Sequence, residues 1–330
     1  MRTALVTGVA GQDGIYLARS LLADGVRVVG TVSGAVDGHP RHVYLAGAEL
    51  RSLDLRDAAG LRALVHDVEP DEVYNLAAVS SVGRSWHEPE LTVAVNQTAV
   101  EILVAALLAQ RDRTGRQVRL FQASSAEISG DATASPYARS KAAAEDVVRD
   151  ARDRGLAASI GRLYIHESPL RALTFVSRKI TRGAAEIALG QREHLVLGNL
   201  DVVRDWGFAG DYVEAIRLMV AADVPVDLPI GTGCPHRLTD LVERAFLAAG
   251  LDGSEGYVEQ DPALVRPADT AVLVADPEPA AEVLGWRATA TFEDTVDAMV
   301  AADLARLRSG VDEDEAYLGS LPLPGRRGAR

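Results

Sequence analysis

Apolar residues in the first half of the chain fall into short continuous runs, separated by glycine-rich or polar turns and by longer stretches with helical spacing. Residues 3–7 make one such run, then comes Gly8-Val-Ala-Gly11-Gln-Asp-Gly14, and residues 15–22 predict a helix that stops at Asp24-Gly25. Residues 26–31 predict a second strand, so the chain opens as a β-α-β unit. A third strand is expected to end within residues 52–57, and others to span 73–79, 120–124 and 155–163. The long apolar stretch 94–109 is expected to be a helix packed beneath the sheet. Strands alternating with helices predict an α/β fold, a doubly wound parallel sheet of Rossmann type whose active loops gather at the carboxyl ends of its strands. After Tyr164 the loops lengthen and become rich in arginine. Residues 1–163 are therefore expected to form a dinucleotide-binding domain, with later segments returning to it, and residues 164–330 mainly a smaller substrate-binding domain.

The Gly8, Gly11 and Gly14 turn between strand and helix lets backbone amides at a helix N-terminus approach a pyrophosphate with no Cβ in the way. The end of the second strand should choose between NAD and NADP, because an acidic residue there binds a ribose hydroxyl and an arginine accepts a 2′-phosphate. The chain offers Thr31-Val-Ser33-Gly34, with neither signature; Ser33 could bond to either form and Arg41 could swing in, so the choice stays open. Residues 34–40 predict a mobile loop. Asp54 could accept a bond from an adenine amino group or serve as a surface or capping residue. Ala77 and Ala78 suit close backbone approach to a cofactor, and Ser80 and Ser81 follow in the loop.

Residues 121–148 carry the chemistry. The end of a buried strand presents Ser124, Ser125 and Glu127, and Tyr137 and Lys141 then lie four apart on a segment rich in Ala and Glu, on one helix face. Only Lys141 and Lys179 among the 34 basic residues are lysines, so a lysine at this position answers a need for a compact ammonium. In a hydride-transfer enzyme it would hold a ribose and lower the pKa of Tyr137, letting the phenolate act as a base near neutral pH.

Composition narrows the remaining choices. A 330-residue chain that is 48% hydrophobic can bury a sizeable core, and a formal charge of -13 with no basic block argues against nucleic acid or an anionic membrane as partner. The longest apolar run, 102–109, is too short to span a bilayer, and the N-terminus lacks the apolar core of a signal peptide. Cys234 is the single cysteine, which agrees with a reducing, cytoplasmic compartment, and no metal site is expected. Of Arg162, Arg171, Arg178, Arg182, Arg204, Arg237 and Arg266, most are expected to be surface charges and one or two to clamp an anionic group. Trp206 and Trp286 are expected in the core, and the tail 321–330, dominated by Pro, Gly and Arg, is expected to be disordered.

Thr7-Gly-Val-Ala-Gly-Gln-Asp-Gly14 followed by Tyr16-Leu-Ala resembles the opening of GDP-mannose 4,6-dehydratases, extended short-chain dehydrogenases whose glycine turn carries an unusual Gln-Asp. The resemblance continues through Pro70-Asp-Glu-Val-Tyr-Asn-Leu-Ala-Ala78, Gln122-Ala-Ser-Ser-Ala-Glu127, Ser135-Pro-Tyr-Ala-Arg-Ser-Lys141, His166-Glu-Ser-Pro169, Gly198-Asn-Leu-Asp201, Arg204-Asp-Trp-Gly207, Val265-Arg-Pro267 and Leu284-Gly-Trp286. It implies a tightly held NADP, with NAD as the alternative, and conversion of GDP-mannose to GDP-4-keto-6-deoxymannose by a homo-oligomer. It implies cofactor contacts from Gly8, Gly11, Gln12, Asp13, Gly14, Ser33, Asp54, Leu55, Leu76, Ala77, Ala78, Ser80, Tyr137, Lys141, His166 and Arg171. Substrate contacts would come from Ser81, Ser125, Glu127, Asn199, Arg204 and Arg266. Tyr137 would take the proton of the sugar 4-hydroxyl, Ser125 would bond to the oxygen at C4, and Glu127 would remove the C5 proton and protonate the leaving C6 hydroxyl.

Several positions depart from the family pattern. Ser125-Ala126-Glu127 replaces Thr-Ser-Glu, Ile165 stands where an asparagine is expected, and Ser33-Gly34 replaces the arginine pair used for the 2′-phosphate. Phe208 and Gly210 replace polar and basic residues near the diphosphate stretch. The loop after the second strand, which joins subunits in family tetramers, is short, leaving dimer and tetramer both open. Alternatives to the dehydratase are a related dehydratase or epimerase acting on another sugar nucleotide, and a non-catalytic cofactor-binding protein. Glu127 beside Tyr137 and Lys141 argues against the last two, since neither a sensor nor a simple epimerase needs a C5 base.

Overall fold

The computed structural model describes residues 1–129, 135–264 and 270–318. Strands β1 (Thr3–Thr7), β2 (Arg27–Val32), β3 (Glu49–Ser52), β4 (Glu72–Asn75), β5 (Arg119–Ser125) and β6 (Ala157–Leu163) alternate with helices α1 (Gln12–Ala23), α2 (Ala58–Val68), α3 (Val82–His87), α4 (Pro89–Val93), α5 (Ala99–Thr114) and α6 (Pro136–Asp153). Short strands β7 (His166–Glu167), β8 (Leu195–Leu197), β9 (Val203–Asp205) and β10 (Gly207–Phe208) follow, interleaved with α7 (Val176–Ala188) and leading to α8 (Ala209–Ala221). Next, β11 (Asp227–Ile230) returns to pair with β6, giving a seven-stranded sheet in the order β11-β6-β5-β4-β1-β2-β3. Every pairing in it is parallel, and the strand order reverses between β1 and β4, where such sheets open a crevice at their carboxyl ends.

Side chains alternate across the sheet and divide two cores. Ala4 and Val6 of β1 face a cluster built with α1 and α8, while Leu5 between them faces a cluster built with α2, α5 and α6. The remaining elements are β12 (Pro235–Arg237), α9 (Leu238–Ala248), β13 (Val258–Gln260), β14 (Val272–Leu273), α10 (Glu278–Leu284) and α11 (Phe292–Ser309). A third core joins α7, α9 and α11, with Trp206 at its centre and its ring tilted against Phe292. Trp286 is buried in the first core and donates from Nε1 to Asp211 O at 3.0 Å, so both tryptophans are core residues as expected.

Two elements differ from their sequence reading. β4 ends at Asn75, four residues before the predicted Val79, and Leu76, Ala77 and Ala78 beyond it line a cavity. The apolar helix is also longer than 94–109: helix and π turn run continuously over Pro89–Thr114, a length and composition able to cross a membrane, although no apolar run in the sequence was long enough. Ala99, Val100, Leu103, Leu107 and Leu108 of this helix face α2 and α6 inside the second core. The interruption at Ala94–Thr98 is a π turn around buried Asn96, the kind of bulge that marks functional positions.

The glycine turn is built to backbone tolerance. Gly8 adopts φ 69°, and a Cβ there would lie 2.9 Å from Ala77 Cα, which lets β1 and the end of β4 approach closely. A Cβ on Gly14 would meet Gly8 O at 2.5 Å and Val9 O at 2.6 Å, and neither carbonyl can move without opening the turn. Gly14→Ala is expected to lower stability by about 1–3 kcal/mol in urea unfolding; an unchanged midpoint would contradict this tight packing.

Candidate active site

The carboxyl ends of β1, β2, β4, β5 and β6 open into one cavity of about 770 Å³. Every site residue implied by the sequence that the structure describes lines it. Arg266, the stretch 130–134 between Glu127 and Tyr137, and the tail 321–330 lie outside the described residues.

At one end of the cavity is the amino terminus of α1. Gly11 opens the helix, no side chain caps its first turn, and the turn's backbone therefore faces the cavity. A dinucleotide diphosphate fits this arrangement, because the helix end offers amides and a partial positive charge. Asp13 would oppose an anion there, yet its carboxylate is already paired: Oδ2 lies 3.0 Å from His166 Nε2. The other ring nitrogen, Nδ1, lies 2.7 Å from Tyr164 O. Both nitrogens face acceptors, so both must carry protons and His166 is an imidazolium. Burial alone drives its pKa down, but the charge and hydrogen bond of Asp13 outweigh that and hold it above the ordinary histidine value. Burial likewise pushes Asp13 up, and His166 and then Arg171 bring it below the usual carboxylate value. The neighbouring Gln12 donates to His166 O at 2.9 Å and accepts from Ser168 Oγ at 2.9 Å. The Gln-Asp pair thus locks the glycine turn to the loop after β6, a use of these two side chains that the sequence reading, which gave them cofactor contacts, did not anticipate.

At the other end is the chemistry on β5 and α6. Ser135 caps α6 by accepting from Ala138 N at 3.1 Å, Pro136 occupies the first turn, and the helix places Tyr137 and Lys141 on its buried face. Tyr137 lines the cavity together with Ser125 and Glu127. Burial raises its pKa above 10, Ser125 pulls it down, the Glu127 carboxylate pushes it up, and Arg171 opposes that push. Glu127 is held by its own amide, which donates to Ser125 Oγ at 3.2 Å. The Lys141 Nζ donates to Ala123 O at 2.8 Å. Burial brings the Lys141 pKa down to about 8, with Glu145 acting in the opposite direction.

Asn96 is a site residue that sequence reasoning missed. Its side chain accepts from Val79 N at 2.8 Å and donates to Val79 O and to Ser140 Oγ, each at 3.2 Å, tying the loop after β4 to the helix of Tyr137. Its one signal was a polar residue inside an apolar helix.

The arginines sort by partner. Arg162 is held by Glu145, Arg178 by Asp303 and Arg182 by Glu186, while Arg237 lies 3.6 Å from Asp201; Arg171 and Arg204 line the cavity. Arg171 stacks 3.7 Å over Phe175 with Nε 3.1 Å from Glu167 Oε2. Arg204 directs Nη1 to Thr270 O at 2.6 Å and Val203 O at 3.0 Å, so part of its fork holds the chain rather than an anion. Asn199 accepts from Asp201 N at 2.9 Å, and Ser81 accepts from Arg84 N at 3.2 Å to cap α3. At the end of β2, Ser33 is exposed at the cavity edge, and Asp54 is engaged by Arg56, whose hydrogen bonds bring the carboxyl down to about 2. Arg41, which could swing in on the sequence reading, lines the cavity, and each of its three guanidinium nitrogens is bonded to the chain, at Ala10 O, Leu170 O and Glu313.

A parallel sheet of order β3-β2-β1-β4-β5-β6-β11 with a glycine turn at the switch point and a Tyr-x-x-x-Lys helix across from it defines an extended short-chain dehydrogenase-type protein. A sequence model of the GDP-mannose 4,6 dehydratase family matches residues 5–299, and the chain belongs to that family. It is 38% identical to GDP-mannose 4,6 dehydratase 2 of Arabidopsis thaliana, over 98% of this chain and 92% of that one. It is 36% identical to the GDP-mannose 4,6-dehydratase of Sinorhizobium fredii, over 93% and 98%. The crystal structure of Thermus thermophilus UDP-glucose 4-epimerase in complex with NAD matches with a TM-score of 0.77 and 25% identity, covering 92% of this chain and 99% of that one.

The Asp13–His166 pair makes a pH prediction. The raised His166 contributes stability in full below its unfolded pKa and loses it as pH climbs through its folded value; the lowered Asp13 loses its share as pH falls through its own. The stability lost in His166→Gln is therefore expected to be larger near pH ~6 than near pH ~9 in urea unfolding, and a pH-independent loss would contradict the imidazolium.

Proposed function

We propose that this chain is a nucleotide-sugar 4,6-dehydratase that converts GDP-mannose to GDP-4-keto-6-deoxymannose with loss of one water, using NADP or, less tightly, NAD. The observation that carries the reading is that Tyr137, Ser125 and Glu127 line one cavity together with the glycine turn. Family membership supports the substrate. A bound oxidised dinucleotide would supply a two-electron acceptor for C4 and, once reduced, the donor for C6.

The chain's own residues move the protons. Tyr137 accepts the proton of the sugar 4-hydroxyl, with Ser125 bonded to the same oxygen as it becomes a carbonyl. That carbonyl acidifies the C5 proton, and Glu127 removes it; the same carboxyl, now protonated, gives a proton to the C6 hydroxyl as it leaves as water. As hydride returns to C6 a proton enters at C5, equivalent to the one Tyr137 accepted and gives up, so both residues end as they began. Lys141, fixed to Ala123 O and deep in the cavity, is placed to hold the nicotinamide ribose. Gly8, Gly11 and Gly14 receive the diphosphate, and Arg204 and Arg266 the diphosphate of the sugar nucleotide.

Glu127→Gln is expected to slow water loss by about 10²–10⁴-fold while leaving oxidation at C4 possible, and Tyr137→Phe to suppress both. Reduced-cofactor absorbance and 4-keto-6-deoxy product, followed together after mixing, check this; normal product formation by Glu127→Gln would sink the assignment. For the cofactor, titrating both oxidised forms into the stripped protein is expected to give tighter binding of NADP, and a clear preference for NAD would overturn that half of the reading.

A further inference from the structure

One guanidinium joins two walls of the dinucleotide cavity. Arg41 lies in the 3₁₀ turn Pro40–Tyr44 after β2. It donates from Nη1 to Ala10 O at 3.0 Å, inside the glycine turn, and from Nη2 to Leu170 O at 2.7 Å, in the loop that presents His166 and Arg171. Its Nε donates to Glu313 Oε1 at 3.0 Å, and both side chains are only 18% exposed. Glu313 is held in turn by Tyr44, whose hydroxyl donates to Oε2 at 2.8 Å and accepts from Asp314 N at 3.1 Å.

The loop beyond His166 is gripped at consecutive carbonyls. Pro169 O accepts from Arg178 and Arg306, Leu170 O from Arg41, and Arg171 O from Arg178. Arg178 and Arg306 are anchored on buried Asp303, far along α11. Of these three arginines, Arg41 is the one that also reaches the glycine turn. Three of its five N–H groups are committed to two carbonyls and a carboxylate, one on each nitrogen, so the position of the guanidinium is set by the chain.

We propose that Arg41 is a positioning residue for the dinucleotide: its fork sets the distance between the glycine turn and the Leu170-Arg171 loop, and Glu313 holds the fork in place. This rests on the dinucleotide reading above. A planar fork does this and an ammonium does not, because lysine can satisfy one acceptor in this geometry but not acceptors on three separate segments. A 2′-phosphate ligand would behave differently, since it would depend on charge and matter for NADP alone.

Dissociation constants for NAD and NADP, measured by titration calorimetry on the stripped full-length protein, separate these roles. Arg41→Gln and Arg41→Lys are both expected to weaken both dinucleotides, alike, by about tenfold, while GDP affinity stays within about twofold. Glu313→Gln, outside the cavity, is expected to weaken both by about threefold and keeps the test available if the Arg41 variants do not fold. Unchanged dinucleotide affinity in any variant that folds would overturn the proposal. Wild-type affinity in Arg41→Lys, or a loss confined to NADP, would make Arg41 a direct phosphate ligand instead, and a parallel loss of GDP affinity would mean general loosening. Wild-type protein that binds neither dinucleotide would overturn the cofactor reading itself, and this inference with it.

Discussion

The ion pair between Asp13 and His166 is the constraint on which the rest of the site depends. A carboxylate at the amino terminus of α1 suits the helix dipole but would repel the diphosphate that a glycine turn exists to receive. Pairing it with an imidazolium removes that conflict, and because the two residues are 153 positions apart, the same bond fixes the loop after β6 against the first turn of the chain. Removing either partner would leave the other without its main counter-charge, a loss of about 1–3 kcal/mol for this partly exposed pair. Gln12 and Ser168 extend the junction with neutral hydrogen bonds.

The catalytic end is fixed by a second set of ties. Lys141 to Ala123 O joins α6 to β5, Tyr137 N to Ser85 Oγ joins it to α3, and Asn96 joins it to the loop after β4. Tyr137 therefore has little freedom to leave Ser125, and burial raises its pKa, with Ser125 and Arg171 acting downward and Glu127 upward. The order of those influences matters chemically. Burial and a nearby carboxylate both disfavour the charged phenolate, and a positive charge brought close favours it.

Much of this was legible in the sequence because it is local. The β-α-β opening, the strand that delivers Ser125, and the four-residue spacing of Tyr137 and Lys141 each depend on neighbours within a few positions. What could not be read depends on distant ones. The return of β11 to β6 carries no motif, since Asp227–Ile230 is four residues long and only its pairing with Ile160–Leu163 gives it a place. Gln12 and Asp13 were legible as unusual residues in a glycine turn, but their partners lie more than 150 residues on. Arg41 looked free because residues 34–40 read as a loop, and the carboxylate that holds it, Glu313, is 272 positions away. Lys141 was placed correctly on the buried helix face, but its acceptor is a backbone carbonyl, which no pattern of side chains reveals.

The central claim is that Tyr137, Ser125 and Glu127 serve one sequence of oxidation, elimination and reduction on a sugar that stays in the cavity throughout. Following a deuterium at C4 of GDP-mannose by NMR tests it most directly. The account predicts that the label is recovered at C6 of the 4-keto-6-deoxy product, within the same molecule when labelled and unlabelled substrates are mixed. Label retained at C4, lost to water, or scrambled between molecules would contradict it.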